Sequence, residues 1–382
     1  MNIKSLKSRI ARKMLSYSME YLNREEARSY EEEIAMKLSK LPCRKELTKE
    51  QEQEIQDFYK PLLGHKVSLD WHRYFLSRKG EYSKLYLPNV EWKTNIVGRL
   101  NVYPLKRAYA DKNIIDLILP ETRQPKIIMK NMNGYYYFDR KAVTKEEACE
   151  LCKDIGDVII KPSLRSRGFG VLKMCVKDGF VDGEMPLSKL FDEYKRDFLI
   201  EELVNQHPKM AALNPTSVNT IRLVTYRSDM NVNLVYSVIR IGRSGQAIDN
   251  ESAGGISTVI NLDGTLGKYA FGAPGQDRIE NTDNGIRLEG YCIPSYQKAV
   301  EMVKEAHLQL PFFDFIGWDI AIEEDGNPTM IEFNMTPDLS QSANGPALGE
   351  YTTMILKDAM SRKNTYSKTV DDCMWMRNKL FN

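Results

Sequence analysis

The sequence predicts an α+β protein that begins with a helical region. Residues 24–60 are rich in Glu and Lys and have the composition of helices. From about residue 95, short runs of β-forming residues alternate with helical segments, and a last helix is expected from about residue 347. We therefore expect a helical region over 1–100, a first α+β subdomain over 101–200 and a second over 201–382.

The composition excludes several classes of protein. The 382 residues include 54 Lys+Arg against 52 Asp+Glu, and this near-neutral balance argues against a nucleic-acid partner. No apolar run approaches the ~18–20 residues that span a membrane. Six cysteines are too few for a disulfide framework in a chain of this length. We expect a cytoplasmic enzyme or binding protein.

The first 19 residues form a separate basic segment. Its apolar residues recur at three- and four-residue spacing, which predicts an amphipathic helix. Such a helix either lies on an anionic membrane surface, at the inner face of the membrane, or packs its apolar stripe against the rest of the protein. The basic residues are Lys4, Lys7, Arg9, Arg12 and Lys13, and the apolar ones are Ile3, Leu6, Ile10, Met14 and Tyr17.

Cap and turn signals place individual elements along the chain. Thr48 and Gln51 form a capping box, Thr144 is an expected N-cap, and Asn133-Gly134 predicts a hairpin turn. Strands are expected at 157–163, 171–179 and 198–204, hairpins at 221–242 and 317–334, and a helix at 293–310. The aromatic residues expected in a core are Trp71, Tyr74, Phe75, Tyr82, Tyr86 and Trp92.

The last hairpin carries the strongest candidate site. Glu332 and Asn334 lie two residues apart on its second strand and share a face, and the Asp325-Gly326 turn brings Asp319 alongside them. Two carboxylates and an amide oxygen suit Mg²⁺. The alternative is a set of polar residues that face solvent. Two opposed carboxylates, however, would repel each other without a cation.

A second candidate site is the glycine-containing loop after the strand at 157–163. Lys161 ends that strand, and Gly168 and Gly170 follow Ser166 in the loop. Glycines let backbone N–H groups approach phosphate oxygens, and a lysine supplies a point charge. The spacing is neither that of a Walker A loop nor that of a dinucleotide fingerprint.

Two further groups of residues are weak signals on their own. Glu201 and Glu202 lie in an apolar strand before Leu203, where a carboxylate and the backbone could bind adenine; solvated acids at a strand end are the alternative. Arg222 and Arg240 lie on the central hairpin, and two guanidinium groups near one site suit a phosphoryl group or a carboxylate.

Taken together, these residues resemble the ATP-grasp superfamily over roughly residues 50–350. The resemblance is closest to its sugar-transfer-associated branch, which is found with exopolysaccharide and capsule biosynthesis. The segments that carry it are A-Y-A-D-K-N at 108–113, Q-H-P at 206–208, S-V-N-T-I-R at 217–222, D-N-x-x-A-G-G at 249–255 and G-W-D-I-A-I at 317–322. The resemblance implies an ATP-grasp fold, in which two α+β subdomains grip ATP, with a helical N-terminal extension.

The resemblance also implies residue roles. The ATP phosphates would contact Lys112 and Lys161 under a lid formed by Ser166, Gly168 and Gly170. Adenine would contact Glu201, Glu202 and Leu203. Two Mg²⁺ ions would bind Asp319, Glu332 and Asn334, and the catalytic group would comprise Arg222, Arg240 and Asn219.

The chain departs from the family pattern at three places. The helical N-terminus replaces the α/β domain that often precedes the grasp fold. Pro208 stands where relatives commonly place an acidic ribose ligand, so His207 or Asn205 is the candidate for that contact. Arg165 and Arg167 stand in the glycine loop where small residues are common, which favours an extra contact with phosphate or an acidic substrate.

The function implied by the resemblance is that of a carboxylate–amine or carboxylate–thiol ligase. ATP would phosphorylate a carboxylate, and a bound nucleophile would attack the acyl phosphate. The expected partners are a small-molecule or saccharide acid and an amine acceptor. An ATP-dependent phosphotransferase acting on a saccharide hydroxyl and a non-catalytic, ATP-regulated scaffold are the alternatives.

Overall fold

The computed structural model describes residues 21, 24–165, 168–243, 245 and 254–365. Their contacts form two compact units. One unit comprises the described residues up to Leu105 together with those from Asp338 onward, and the other is Lys106–Pro337. The expected division at residues 100 and 200 stays a prediction, and the basic segment 1–19 lies outside the described residues.

The first unit begins with helices. They are α1 (24–39), α2 (Lys49–Leu63), α3 (Asp70–Lys79) and α4 (Asn89–Glu91), which continues through a π turn (Trp92–Ile96) into α5 (Val97–Leu100). The Thr48 capping box of α2 is confirmed, because the Thr48 side chain accepts from Gln51 and the Gln51 side chain from Thr48. The expected aromatic core is present where Trp71, Tyr74, Phe75 and Tyr86 pack against α1.

Helical structure extends further along the chain than the sequence pattern predicts. After α5 come α6 (Lys106–Tyr109), a 3₁₀ turn (Lys112–Ile114) and α7 (Ile115–Ile118), whereas short strands were expected from about residue 95. Strands do alternate with helices, but the first described strand begins only at Ile127, later than expected. Trp92, Ile96 and Leu100 recur at helical spacing and are buried, in agreement with the expected helical region over 1–100.

The second unit contains a large antiparallel sheet, here called sheet 1. Its strands in the described chain are β1 (Ile127–Met132), β2 (Tyr135–Phe138), β3 (Lys141–Val143), β4 (Gly156–Pro162), β5 (Leu172–Lys177), β6 (Phe180–Val181), β7 (Met185–Pro186) and β8 (Phe198–Glu202), in the order β3-β2-β1-β8-β4-β5-β6-β7. The predicted hairpin turn has positive φ at both Asn133 and Gly134.

The two faces of sheet 1 have different chemistry. Helices α8 (Lys145–Leu151) and α9 (Leu187–Tyr194) belong to the apolar core on one face, which includes Ile160 and Ile200. Residues on strands alternate between faces, so Lys161 and Glu201 lie on the opposite face. The local sequence therefore places two charged side chains on the face that the core does not occupy.

Sheet 2 completes the second unit and follows α10 (Pro208–Leu213). Its described strands are β9 (Ile221–Ser228), β10 (Asn231–Ile241), β11 (Ile256–Val259), β12 (Phe315–Ile322) and β13 (Pro328–Asn334), in the order β11-β10-β9-β12-β13. Helix α11 (Tyr296–Leu308) packs against this sheet. The expected hairpins at 221–242 and 317–334 and the expected helix at 293–310 are confirmed.

The C-terminal helices belong to the first unit. They are α12 (Gln341–Asn344) and α13 (Thr352–Ser361). The Gln341 side chain accepts from the Leu87 amide and donates to the Leu87 carbonyl, which joins chain segments far apart in sequence. Within the described ranges, no helix is long and apolar enough to span a membrane.

A buried hydrogen-bond chain joins α11 to sheet 2. Trp318 Nε1 donates to Thr225 Oγ1 at 2.8 Å, Thr225 Oγ1 lies 2.7 Å from His307 Nδ1, and His307 Nε2 lies 2.8 Å from the Phe313 carbonyl. A carbonyl only accepts, so Nε2 carries the proton and Nδ1 accepts from Thr225. Burial lowers the pKa of His307 from its ordinary 6.5 to about 4.

The low pKa of His307 predicts an acid-sensitive stability. The unfolded histidine binds a proton below about pH 6.5 and the folded one does not, so the free energy of unfolding should fall by about 2 kcal/mol between about pH 7.5 and pH 5 through this residue. Urea unfolding at both pH values measures the effect. His307→Gln should flatten the slope by that amount, and an unchanged slope would contradict the assignment.

Candidate active site

The candidate metal residues lie in one row across sheet 2. Asp319 on β12 is opposite Glu332 on β13 and opposite Arg222 on β9. β13 has one extra residue, Ile331, between this pair and the next, a β-bulge beside the site. The register therefore brings a carboxylate, a second carboxylate and a guanidinium to the same face.

Asp319 is the most buried member of this row. Arg222 donates to both of its oxygens, at 2.5 Å from Nε and 2.9 Å from the second nitrogen, and Arg240 donates to Oδ2 at 3.2 Å. Burial would raise the pKa of Asp319, but the two guanidinium charges outweigh it and hold that pKa below the ordinary range. The interpretation of Asp319 as a solvent-facing residue is wrong, since it is 4% exposed.

Gly317 makes the close packing around Arg222 possible. A Cβ atom at this position would lie 2.7 Å from Pro337 Cβ and 3.3 Å from Arg222 Cδ. The first distance is shorter than real contacts between such atoms allow. A side chain at position 317 would therefore displace either Pro337 or the guanidinium that binds Asp319.

Glu332 is more open than Asp319 and contacts a different cation. Its Oε1 accepts from Asn334 Nδ2 at 3.3 Å, and its Oε2 lies 3.4 Å from Lys112 Nζ. Lys112 Nζ also donates to the Arg165 carbonyl at 2.8 Å, at the start of the glycine loop. Lys112 thus connects the glycine loop with the β12–β13 hairpin, which carries the candidate metal ligands and is here called the metal hairpin.

Lys161 and Glu201 form a buried ion pair on sheet 1. Lys161 Nζ donates to Glu201 Oε1 at 2.5 Å, and each side chain is 8% exposed. Their strands β4 and β8 are hydrogen-bonded neighbours. The residues expected at the phosphates and at adenine therefore contact each other directly.

The described part of the glycine loop depends on two left-handed glycines. Gly168 and Gly170 have φ of 70° and 73°. A Cβ on Gly170 would lie 2.9 Å from Pro162, and the Gly170 carbonyl accepts from the Tyr194 hydroxyl. Ser166, the predicted lid residue between Arg165 and Gly168, lies outside the described residues.

The end of β8 and the segment after it hold the remaining candidate nucleotide residues. Glu202 is exposed, with its carboxylate 3.6 Å from Lys126 Nζ, and Leu203 is half-buried. The backbone N–H of His207 donates to the Ile322 carbonyl, and its Nδ1 accepts from the Lys209 amide. His207 thus caps α10 and ties it to sheet 2.

Asn219 is fully buried. Its Nδ2 donates to the Met210 and Asn214 carbonyls at 2.8 Å and contacts Gln206 Oε1 at 3.3 Å. Its Oδ1 has no hydrogen-bond partner among the residues that the structure describes. In the structure Asn219 fixes the segment between α10 and β9, from which Arg222 follows.

The sequence patterns missed the charged contacts of two cations, Arg123 and Lys130. Arg123 donates to Glu323 Oε2 at 2.5 Å and lies 3.0 Å from Asp325, beside the turn of the last hairpin. Lys130 on β1 donates to Asp116 at 2.6 Å. The alternation of β1, which buries Met129, could have placed Lys130 on the charged face; nothing local marks Arg123.

The candidate metal residues fit Mg²⁺, but Asp319 and Glu332 are not equally available as ligands. Among the described residues, no three His, Cys, Asp or Glu side chains form a metal-binding group, so a metal would rely on two carboxylates, the Asn334 amide and phosphate oxygens. A carboxylate offers about four lone-pair sites. Three donors already contact Asp319, so Glu332 is the more open ligand.

This fold and this set of side chains define a protein of the ATP-grasp class. The chain belongs to the sugar-transfer associated ATP-grasp family, whose model matches residues 93–357. The match confirms the predicted resemblance and the predicted α+β fold class. No protein of curated function matches the sequence.

Several solved structures are similar to the chain. The ATP-grasp ligase PsnB, complexed with its minimal precursor, is 12% identical over 68% of this chain and 61% of its own, with a TM-score of 0.38. D-alanine–D-alanine ligase from Bacillus anthracis is 13% identical over 71% and 69%, with a TM-score of 0.37. The biotin carboxylase domain of Hydrogenobacter thermophilus 2-oxoglutarate carboxylase is 15% identical over 68% and 47%, with a TM-score of 0.41. The chain thus spans less than two thirds of the PsnB chain.

Removing the charge of Asp319 should lower the free energy of unfolding more than removing the charge of Glu332. Asp319→Asn leaves Arg222 buried against an amide, and breaking a buried ion pair costs about 3–5 kcal/mol. Glu332→Gln should cost less than about 1 kcal/mol, since the Glu332 side chain is 27% exposed and lies 3.4 Å from Lys112 Nζ. Urea unfolding without nucleotide or metal compares them, and equal losses would contradict the proposed order of burial.

Proposed function

We propose that the chain is an ATP- and Mg²⁺-dependent carboxylate–amine ligase. The observation that carries the proposal is the grouping of Asp319, Glu332 and the nearby Asn334 with Arg222 and Arg240, in a chain of the ATP-grasp family. Hard oxygen ligands next to guanidinium groups suit a metal-bound phosphoryl group that is transferred to an oxygen nucleophile.

In this proposal each group of residues has its own task. Lys112 and Lys161, with Ser166, Gly168 and Gly170 of the loop, contact the phosphates. Glu201, Glu202, Leu203 and His207 contact the nucleoside. Glu332, Asn334 and Asp319 would hold Mg²⁺, which would neutralise charge on the phosphoryl oxygens. Arg222 positions Asp319, Arg240 contacts the transferred group, and Asn219 fixes the segment that precedes Arg222.

The reaction proceeds in two displacements. A substrate carboxylate oxygen attacks the γ-phosphorus, the bond to the ADP oxygen breaks, and an acyl phosphate forms. The amine nitrogen then attacks the acyl carbon, the bond from carbon to the phosphate oxygen breaks, and the nitrogen loses its proton. Arg240 stabilises charge on the phosphoryl oxygens, and the glycine loop excludes water that would hydrolyse the acyl phosphate.

The proposed substrate is an acidic sugar or a precursor of a cell-surface polysaccharide, joined to an amine in the cytoplasm. The family description, which associates these proteins with sugar transfer, supports this choice. A sugar acid supplies the carboxylate that the mechanism requires. Arg165 at the loop start provides a cation for such a substrate, with its guanidinium 4.6 Å from the Phe169 ring centre.

Product analysis tests the ligase proposal. The protein is incubated with ATP, Mg²⁺ and a panel of sugar acids and amines, and the products are identified by mass spectrometry. We expect one product whose mass equals the two substrates less one water, together with ADP and free phosphate. Glu332→Gln, which should remain folded, should lose most of this activity.

The same assay separates the alternative functions. A phosphotransferase would leave the phosphate on a saccharide and release none, and that product would overturn the ligase proposal. Full turnover by a variant combining Asp319→Ala and Glu332→Ala would overturn the metal assignment. A protein without turnover that still binds ATP and Mg²⁺ would favour the scaffold.

We further propose peripheral membrane contact through residues 1–19. Their basic residues favour binding to anionic lipid headgroups. Deleting these residues should lower co-sedimentation with anionic vesicles and leave ATP affinity unchanged, with zwitterionic vesicles as the control. Equal sedimentation of both proteins would dispose of this contact.

A further inference from the structure

Cations of the protein itself contact both candidate metal carboxylates. Arg240 donates to Asp319 Oδ2 at 3.2 Å, and Lys112 Nζ lies 3.4 Å from Glu332 Oε2. The two carboxylates would otherwise repel each other across the β12–β13 pair. The sequence analysis expected a metal ion to relieve this repulsion. In the structure, the side chains of Arg240 and Lys112 already do so.

These contacts are suited to exchange. Arg240 and Lys112 side chains are 17% and 14% exposed, against 5% for Arg222. Their distances are also longer than the 2.5 Å between Arg222 Nε and Asp319 Oδ1. Arg222 therefore belongs to the fixed structure of the sheet. Arg240 makes one longer contact with Asp319, and Lys112 makes one longer contact with Glu332 besides its hydrogen bond to the Arg165 carbonyl.

A divalent cation and these side chains compete for the same oxygens. Arg222 and Arg240 together take three of the roughly four lone-pair sites of Asp319. A nearby guanidinium also repels an incoming metal, because two positive charges a few ångströms apart interact unfavourably. Metal alone should therefore bind weakly, although its ligands are in place.

We propose that Arg240 and Lys112 exchange partners when metal and nucleotide bind. The metal takes the carboxylate oxygens, and the released guanidinium and ammonium take phosphate oxygens. This inference rests on the proposed ATP and Mg²⁺ site and adds its regulation: the free protein disfavours metal without polyphosphate, and the two bind cooperatively. Such coupling is reciprocal, since each ligand must raise the affinity for the other by the same factor.

Arg240→Gln tests the exchange through two affinities that move in opposite directions. Mn²⁺ alone, titrated into the free protein by calorimetry, should bind about fivefold or more tightly, because a competitor for Asp319 is gone. A non-hydrolysable ATP analogue with Mg²⁺ should bind more weakly, because a phosphate contact is gone. A variant that merely disturbed the site would weaken both. Lys112→Gln should shift both affinities in the same directions.

Arg243→Gln is the matched control. Arg243 lies three residues after Arg240 and pairs with Asp283 at 2.9 Å, so the variant removes the same charge without touching the candidate ligands. Its Mn²⁺ affinity should stay within about twofold of wild type, because exposed charges interact weakly with distant sites. Urea unfolding verifies that the variants fold.

The outcomes separate the exchange from the function it rests on. If wild type binds the analogue with Mg²⁺ but Arg240→Gln leaves Mn²⁺ affinity unchanged or lowers it, the exchange is overturned and the ATP site stands. An equal gain in Mn²⁺ affinity in Arg243→Gln overturns the exchange as well, because the loss of any one positive charge would then explain the effect. If wild type binds neither Mn²⁺ nor the analogue, the proposed function fails together with the exchange.

Discussion

The buried ion pair of Arg222 and Asp319 is the constraint on which the second unit depends. Both side chains lie on fully buried parts of sheet 2, and two charges leave water only at a cost that close, complete pairing must offset. The pairing fixes the register of β9 against β12. The pairing also requires a glycine at position 317, because a Cβ atom there would collide with Pro337 and crowd Arg222. A one-residue slip of either strand would turn its own charged side chain to the opposite face and separate the pair.

Sheet 1 also contains a buried ion pair, formed by Lys161 and Glu201. Each sheet has one apolar face, packed against helices, and one face on which charges occur in contacting pairs. The pairing explains how a neutral chain concentrates charge locally without destabilising its fold. Lys112 links the two arrangements, since its ammonium contacts a carbonyl of the glycine loop and the carboxylate of Glu332.

Local patterns predicted what depends on neighbours in sequence. Alternation and the Asp325-Gly326 turn place Asp319 and Glu332 together, because a hairpin fixes its own register. Contacts between distant strands carry no such signal: Arg222 and Asp319 are 97 positions apart, and Arg123 and Glu323 are 200 apart. Their pairing is decided by strand order, which alternation does not encode.

The distribution of charge connects the fold with the proposed chemistry. At the metal hairpin three cations, Arg222, Arg240 and Lys112, contact two carboxylates, so the site has a positive surplus. A site built only to hold a divalent cation would have the opposite sign. A polyphosphate brings more negative charge than one divalent cation neutralises. The positive surplus of the site is of the right sign to balance the remaining negative charge. Because the carboxylates are neutralised within the chain, the strands can form their register before any ligand arrives. Binding then needs local exchange of charged partners rather than folding of the sheet.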